Sequence, residues 1–269
     1  MRAVSHALLA VVVVAATTVP GAIRDIDTAA ATQALNLGVE SISPTPDDVV
    51  GVAAPIIVTF SKPMPNRLAA ERDLGFKSTP PMTGKFEWLE NNVVQWVPDS
   101  YWPSHSTVML SVAGKRTAFQ TGPAVVGVAD ISDHTFTVTI DGVGAESPIG
   151  LPAPHHLPHA GEAGVLLASM GRPEYPTPAG KYTVLSKERS VLMDSSSVGI
   201  PTTASDGYLM EVDYAVRITR RGIFVHSAPW AVPSIGFDNT SHGCISLIPA
   251  AAEWYFNTAN VGDPVIVQE

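Results

Sequence analysis

The chain contains a single cysteine, Cys244, set within Ser241-His242-Gly243-Cys244-Ile245-Ser246, and two of its eight histidines, His226 and His242, precede it closely in sequence. A thiol with an imidazole in reach can transfer acyl groups. The thiolate attacks a carbonyl, while the imidazole takes the sulfur's proton and returns it to the leaving amine. His226 ends a predicted strand, Phe224-Val225-His226, and a loop running to Thr240 is long enough to fold Cys244 back upon it. His242 is the second candidate base. Of the two, His226 is preferred as the base and His242 is given a positioning role. Gly243 has its own rationale: without a Cβ it lets substrate approach the backbone and lets the Cys244 amide point at a developing oxyanion. A metal reading is weaker, because one Cys and two His leave the coordination shell incomplete. His155, His156 and His159 form a second histidine group, but the prolines around them favour a solvated insertion.

Positioning these groups is the task of the surrounding elements. Near the start, Arg2 precedes an apolar run from Ala7 to Ala16 and then small and turn-forming residues, the order of a secretory signal peptide, placed at residues 1–31. In an exported protein structural cysteines come in pairs, so a lone thiol points to chemistry or to complete burial. From 41 to 122 short alternating runs broken by Pro, Gly and Asn predict a β-sandwich. Its strands are read at Pro55–Phe60, Phe86–Glu90, Val93–Val97 and Thr107–Val112, with a hairpin turn at Asn91-Asn92. Trp88 and Trp96 fall on one face of that hairpin, as core packing expects. Thr121 to Val126 reads as a linker. A second domain, 127–269, resumes with strands at His134–Ile140, Val165–Met170, Tyr182–Leu185, Tyr214–Thr219, Gly222–His226 and Val265–Gln268. Its best helix is Pro249–Ala259, with Pro in the first turn. The expected fold class is therefore mainly β, with one or two short helices beside the second domain's strands.

Composition narrows the partners. A hydrophobic fraction of 45% in 269 residues suffices for two modest cores. The formal charge of −9 argues against phosphate neutralisation and hence against nucleic acid.

The run His226, gap, Ser241-His242-Gly243-Cys244-Ile245 resembles the catalytic signature of the YkuD-type L,D-transpeptidases. The likeness extends to Thr177-Pro178-Ala179-Gly180, to Met193-Asp194-Ser195, to Asp206-Gly207-Tyr208 and to Val225–Trp230. The N-terminal β module is similar to the immunoglobulin-like domain preceding the catalytic domain in one branch of these cell-wall enzymes. Ser246 departs from the pattern, standing where the family commonly has Asn or Arg, and the segment from Gly144 to Gly164 looks like an insertion. The resemblance implies a peptidoglycan tetrapeptide stem as donor, a Cys244 thioester, release of D-Ala, and resolution by the diamino-acid amine of another stem to give a 3→3 cross-link. It further implies the Ser227 carbonyl as orienter of His226, Tyr208 hydroxyl with the Gly243 and Cys244 amides as oxyanion donors, and Trp230 and Met193 as walls of the donor site. Ser241 and Ser246 complete the substrate side. Neither metal nor organic cofactor is implied, carbapenems are implied as covalent inhibitors, and the cell wall or periplasmic space is the expected location.

Overall fold

The computed structural model describes residues 37–149, 151, 159 and 161–269. The signal-peptide segment, His155 and His156 lie outside them. The first part of the chain forms β1 (Val39–Ser43), β2 (Val49–Val50), β3 (Ile56–Phe60), helix α1 (Arg67–Leu74), β4 (Lys77–Thr79), β5 (Gly84–Trp88), β6 (Val93–Pro98), β7 (Thr107–Val112) and β8 (Lys115–Thr121). They make two four-stranded sheets, β1-β3-β6-β5 and β2-β8-β7-β4. Strict alternation drives the packing: Ile56, Val58 and Phe60 are buried along β3, as are Val108, Leu110 and Val112 along β7. Burying each such side chain contributes ~1.5–3 kcal/mol before the chain's entropy is counted. Trp96 and Trp102 complete this core, and the Trp102 indole N–H donates to the Ala54 carbonyl at 2.9 Å. Trp88 packs at its edge, stacked on Phe60, with its N–H on Glu71. α1, which the alternating pattern did not suggest, is short: Asn66 caps it and only Ala70 and Leu74 are buried.

The second part forms β9 (Val125–Asp130), β10 (Thr135–Ile140), β11 (Val143–Gly144), β12 (Val165–Ser169), β13 (Gly180–Thr183), β14 (Ser186–Asp194), β15 (Leu209–Arg217), β16 (Phe224–Ser227), β17 (Ile245–Leu247), α2 (Pro249–Thr258) and β18 (Pro264–Gln268). One sheet runs β13-β18-β9-β10-β12-β17-β16-β15-β14, with β11 beside β10. The linker is shorter than its composition suggests. Val125 and Val126 belong to β9, because Val125 is needed in the core. β14 was hidden in the sequence by its run of charged and hydroxylated residues, Ser186 to Ser190. It forms because it pairs with β15 over its whole length, Ser186 opposite Arg217 through Asp194 opposite Leu209. α2 lies on this sheet through Ala251, Ala252 and Tyr255, whose ring meets Phe136 edge-on at 4.8 Å.

The two parts touch through backbone. Gly51 N–H donates to the Val261 carbonyl and Ala53 N–H to that of Gly262, both at 2.8 Å. A Cβ at Gly51 would collide with the backbone of Gly262 and Asp263, so a residue without a side chain is required for so close an approach.

Candidate active site

β16 and β17 are parallel neighbours, with Val225 opposite Ile245 and His226 opposite Ser246. Val225, Ile245 and Leu247 point into the core. By alternation His226, Ser246 and Cys244, one step before β17, face the other way. Strand spacing and rise put the backbones of His226 and Cys244 on the order of 8 Å apart, a gap that two side chains span. Both line a cleft of about 410 Å³, whose walls include Met193, Tyr208, Trp230, Ser241, His242 and Ser246. The structure thus gathers eight of the ten predicted site residues around one cavity. The other two lie behind it: Ser227 presents its carbonyl to His226, and Gly243 sits within the turn that carries Cys244.

His226 is 3% exposed, and its Nδ1 lies 2.8 Å from the Ser227 carbonyl. A carbonyl only accepts, so the proton is on Nδ1 and Nε2 is left free to accept one. Trp230 stacks over the ring at 6.1 Å while remaining half exposed, forming one wall of the cleft. Burial drives the His226 pKa down to about 4, against a smaller opposite pull from the Ser227 bond. Burial likewise pushes the Cys244 thiol up to about 11, although a backbone hydrogen bond from Phe224 and the charge of Arg217 favour the thiolate. The resting pair is therefore neutral. The thiol rests on the Gly222 carbonyl at 3.7 Å, a weak sulfur contact.

The turn bearing Cys244 is held from several sides. Ser241 Oγ accepts from Gly243 N–H at 3.0 Å and donates to the Cys244 carbonyl at 2.6 Å. Gly243 adopts φ +114°, a conformation that L side chains rarely enter. Its N–H is engaged by Ser241 Oγ. Buried Thr177 bridges the turn to the chain before β13, donating to the Gly243 carbonyl at 2.9 Å and accepting from Gly171 N–H at 2.8 Å. Upstream, Asn239 receives Met170 N–H and donates to the Ile131 carbonyl, both at 2.9 Å.

Tyr208 stands on the opposite lip. Its N–H donates to Ser195 Oγ and its carbonyl accepts from Ser195 N–H, each at 3.0 Å. Burial raises its hydroxyl pKa, with the neighbouring Cys244 and Asp194 adding to the shift, so the phenol stays a donor. His242 lies between the rings of Tyr175 and Tyr208, 4.9 and 5.0 Å away, with Arg172 at 3.2 Å from its Nε2. Burial first and Arg172 second lower its pKa, against an opposing pull from Asp206. Arg172, Tyr175 and Asn239 were missed by sequence reasoning. Only the Pro-bounded Arg172-Pro173-Glu174-Tyr175-Pro176 hinted at a structured turn beside Thr177. At the insertion, His159 reaches Asp133 and Glu162, both at 3.3 Å. Among the described residues no group of three or more His, Cys, Asp or Glu side chains is arranged to hold a metal ion.

Fold and cleft together define a β-sandwich followed by a β-rich domain with a cysteine–histidine cleft, the architecture of an acyl-transfer enzyme with an appended module. A family model described as a bacterial Ig domain matches residues 16–116, and that of the L,D-transpeptidase catalytic domain matches residues 124–267. The chain is 63% identical over 272 residues to the probable L,D-transpeptidase 3 of Mycobacterium tuberculosis, covering 100% of both. It resembles the crystal structure of L,D-transpeptidase 3 from M. tuberculosis in complex with a faropenem-derived adduct, with TM-score 0.80 and 66% identity over 87% of this chain and 99% of that one. It also resembles the LD transpeptidase LdtMt1 in complex with imipenem, with TM-score 0.76 and 46% identity over 86% of this chain and 99% of that one. The chain belongs to the L,D-transpeptidase family and is an enzyme of that class.

Proposed function

We propose that this enzyme forms 3→3 cross-links between peptidoglycan stem peptides at the cell wall, after export, with Cys244 as nucleophile and His226 as base. The observation that carries the reading is the placement of Cys244 and a correctly tautomerised His226 on one face of adjacent parallel strands, in one cleft. Cys244 sulfur bonds to the carbonyl carbon of the donor's third residue as its proton passes to His226. The bond to D-Ala then breaks, the proton goes to the departing amine, and a thioester remains. The side-chain amine of a second stem attacks that thioester, the C–S bond breaks, and His226 relays the amine's surplus proton back to sulfur. In both steps the acyl oxygen is received by the Cys244 amide and the Tyr208 hydroxyl, each worth about 3 kcal/mol in the transition state. Met193 and Trp230 flank the donor, Ser227 orients the base, His242, Gly243 and Ser241 shape the nucleophile's turn, and Ser246 lies beside the base on the cleft side.

Incubation with a tetrapeptide stem, followed by intact-protein mass measurement, is expected to show the donor acyl group added, less D-Ala. An unmodified protein, or an adduct elsewhere than on Cys244, would sink the reading. If only tripeptide appears when a diamino acceptor is supplied, the enzyme is an L,D-carboxypeptidase using water. Complexes of the relatives with imipenem and with a faropenem-derived adduct support β-lactams, carbapenems above all, as covalent inhibitors that acylate the same thiol.

A further inference from the structure

Arg172 follows Gly171, which bridges to Ser241, and its own N–H donates to the Ser241 carbonyl at 3.0 Å. Its backbone is thereby fixed beside the turn that carries Cys244. The guanidinium, largely buried, lies 4.7 Å from the centre of the Tyr175 ring. One of its nitrogens, Nη2, serves two partners: His242 Nε2 at 3.2 Å and Asp206 Oδ1 at 3.1 Å. Glu174 is a looser third contact through Nε, at 3.6 Å. Arginine can only donate, so His242 Nε2 must accept and the ring's one proton must be on Nδ1. The Asp206 backbone carbonyl hydrogen-bonds that ring. Asp206 is therefore joined to the catalytic turn twice, by its side chain through Arg172 and by its carbonyl through His242.

Asp206 lies on the segment that covers the cleft between β14 and β15, two residues before Tyr208. The N–H groups of Ala204 and Gly207 bond within that segment, to Pro201 and Ala204, and those bonds fix it to nothing outside. Tyr208 also packs against the same His242 ring. The geometry points to Arg172 as a positioning residue, which ties Asp206 to His242 and so holds the Tyr208 hydroxyl where the acyl oxygen develops. The inference rests on the reading of Tyr208 as an oxyanion donor. Arg172 itself touches no reacting atom.

The test uses imipenem as acylating probe, with the full-length enzyme and stopped-flow or quenched mass measurement. Arg172→Ala is expected to lower the limiting first-order acylation rate about tenfold to a hundredfold, the scale of a lost charge-assisted hydrogen bond. The concentration giving half that rate should move by less than about twofold, since the oxyanion contact is made in the transition state. Asp206→Asn should act in the same sense, and Arg172→Lys should recover part of the rate. In a Tyr208→Phe background Arg172→Ala should add no more than about twofold, because the two changes remove one interaction. Equal losses in both backgrounds, a change confined to the half-saturating concentration, or a neutral Tyr208→Phe would overturn the proposal. Should Arg172→Ala lose its melting transition, half-exposed Asp206→Asn decides alone, and an unchanged rate there overturns it. Imipenem acylation does not require a stem peptide, so a failed stem exchange in the wild type leaves this result standing.

Discussion

At the scale of residues, burial favours the uncharged forms of the proposed nucleophile Cys244 and the proposed base His226, which shapes how they fail when altered. Cys244→Ala is expected to remove D-Ala exchange and ligand addition by a factor of ~10⁴ or more, with an unchanged melting curve, because the covalent centre is lost and a smaller group replaces it. His226→Ala should be nearly as severe. His242→Ala should cost less, about tenfold to a hundredfold, since its loss disturbs one positioning contact. Equal losses for the two histidines would show the base misassigned. The pH profile separates them further. His226 must be neutral to accept a proton, and with its pKa lowered to about 4 it is neutral throughout the ordinary range. The acylation rate is therefore expected to be level between pH 5.5 and 8 and to fall only as pH approaches about 4, as measured by rapid pH-jump kinetics. An acid limb centred near the ordinary histidine value, ~6.5, would mean that the base is more exposed in solution than this geometry allows.

Among the elements, the parallel pair β16 and β17 sets the chemistry, and the chain before β17 carries its cost in caps and side-chain bonds. Asn239 joins that loop to β9's end and to β12's end through Ile131 and Met170, with His134 Nδ1 a further contact at 3.1 Å. Asn239→Ala should lower stability by ~1–3 kcal/mol, the penalty for buried polar groups left unpaired. It should also slow acylation by displacing the turn. Thermal unfolding with parallel kinetics checks both, and a stable variant with full activity would show that Asn239 is incidental. The long β14–β15 hairpin belongs at the same scale. Its far end brings Met193 and Tyr208 to a cleft whose nucleophile lies across the sheet.

For the whole molecule, the sandwich and the catalytic sheet share no strand, yet they meet over a buried carboxylate. Asp263 is fully buried, its pKa raised to about 7 chiefly by that burial, against hydrogen bonds from Asn260 and Val52 and the charge of Lys187. A carboxyl whose folded pKa lies above its unfolded one holds its proton longer in the folded state. Stability is then greatest below the unfolded value and falls as pH rises from about 4 to about 7, by as much as ~4 kcal/mol. Asp263→Asn should match the wild type near pH 4 and melt higher at pH 8. Identical pH dependence of the two proteins would remove Asp263 from the account. Deleting residues 1–122 should leave a folded domain, because β9 to β18 close their own core. It should also weaken this pH dependence by opening Asp263 to water. An aggregating fragment would mean that the bonds of Gly51 and Ala53 to Val261 and Gly262 are indispensable.

Cys244, His226 and Gly243 could be read from the chain because their chemistry is local: a thiol, an imidazole at a strand end, and a residue without a Cβ. Strands β3, β6, β7 and β10 and helix α2 were legible for the same reason, each carrying its period or its proline in a few consecutive residues. β14 was not, since a polar strand is made by its partner rather than by its pattern. The register of β16 on β17 was also invisible. It decides that His226 shares a face with Cys244, and it arises from burying Val225, Ile245 and Leu247 together. Only the tertiary structure could place Arg172 between Asp206 and His242 and bury Asp263 under the sandwich. These contacts join residues tens to hundreds of positions apart, and their energies depend on which groups are left without water.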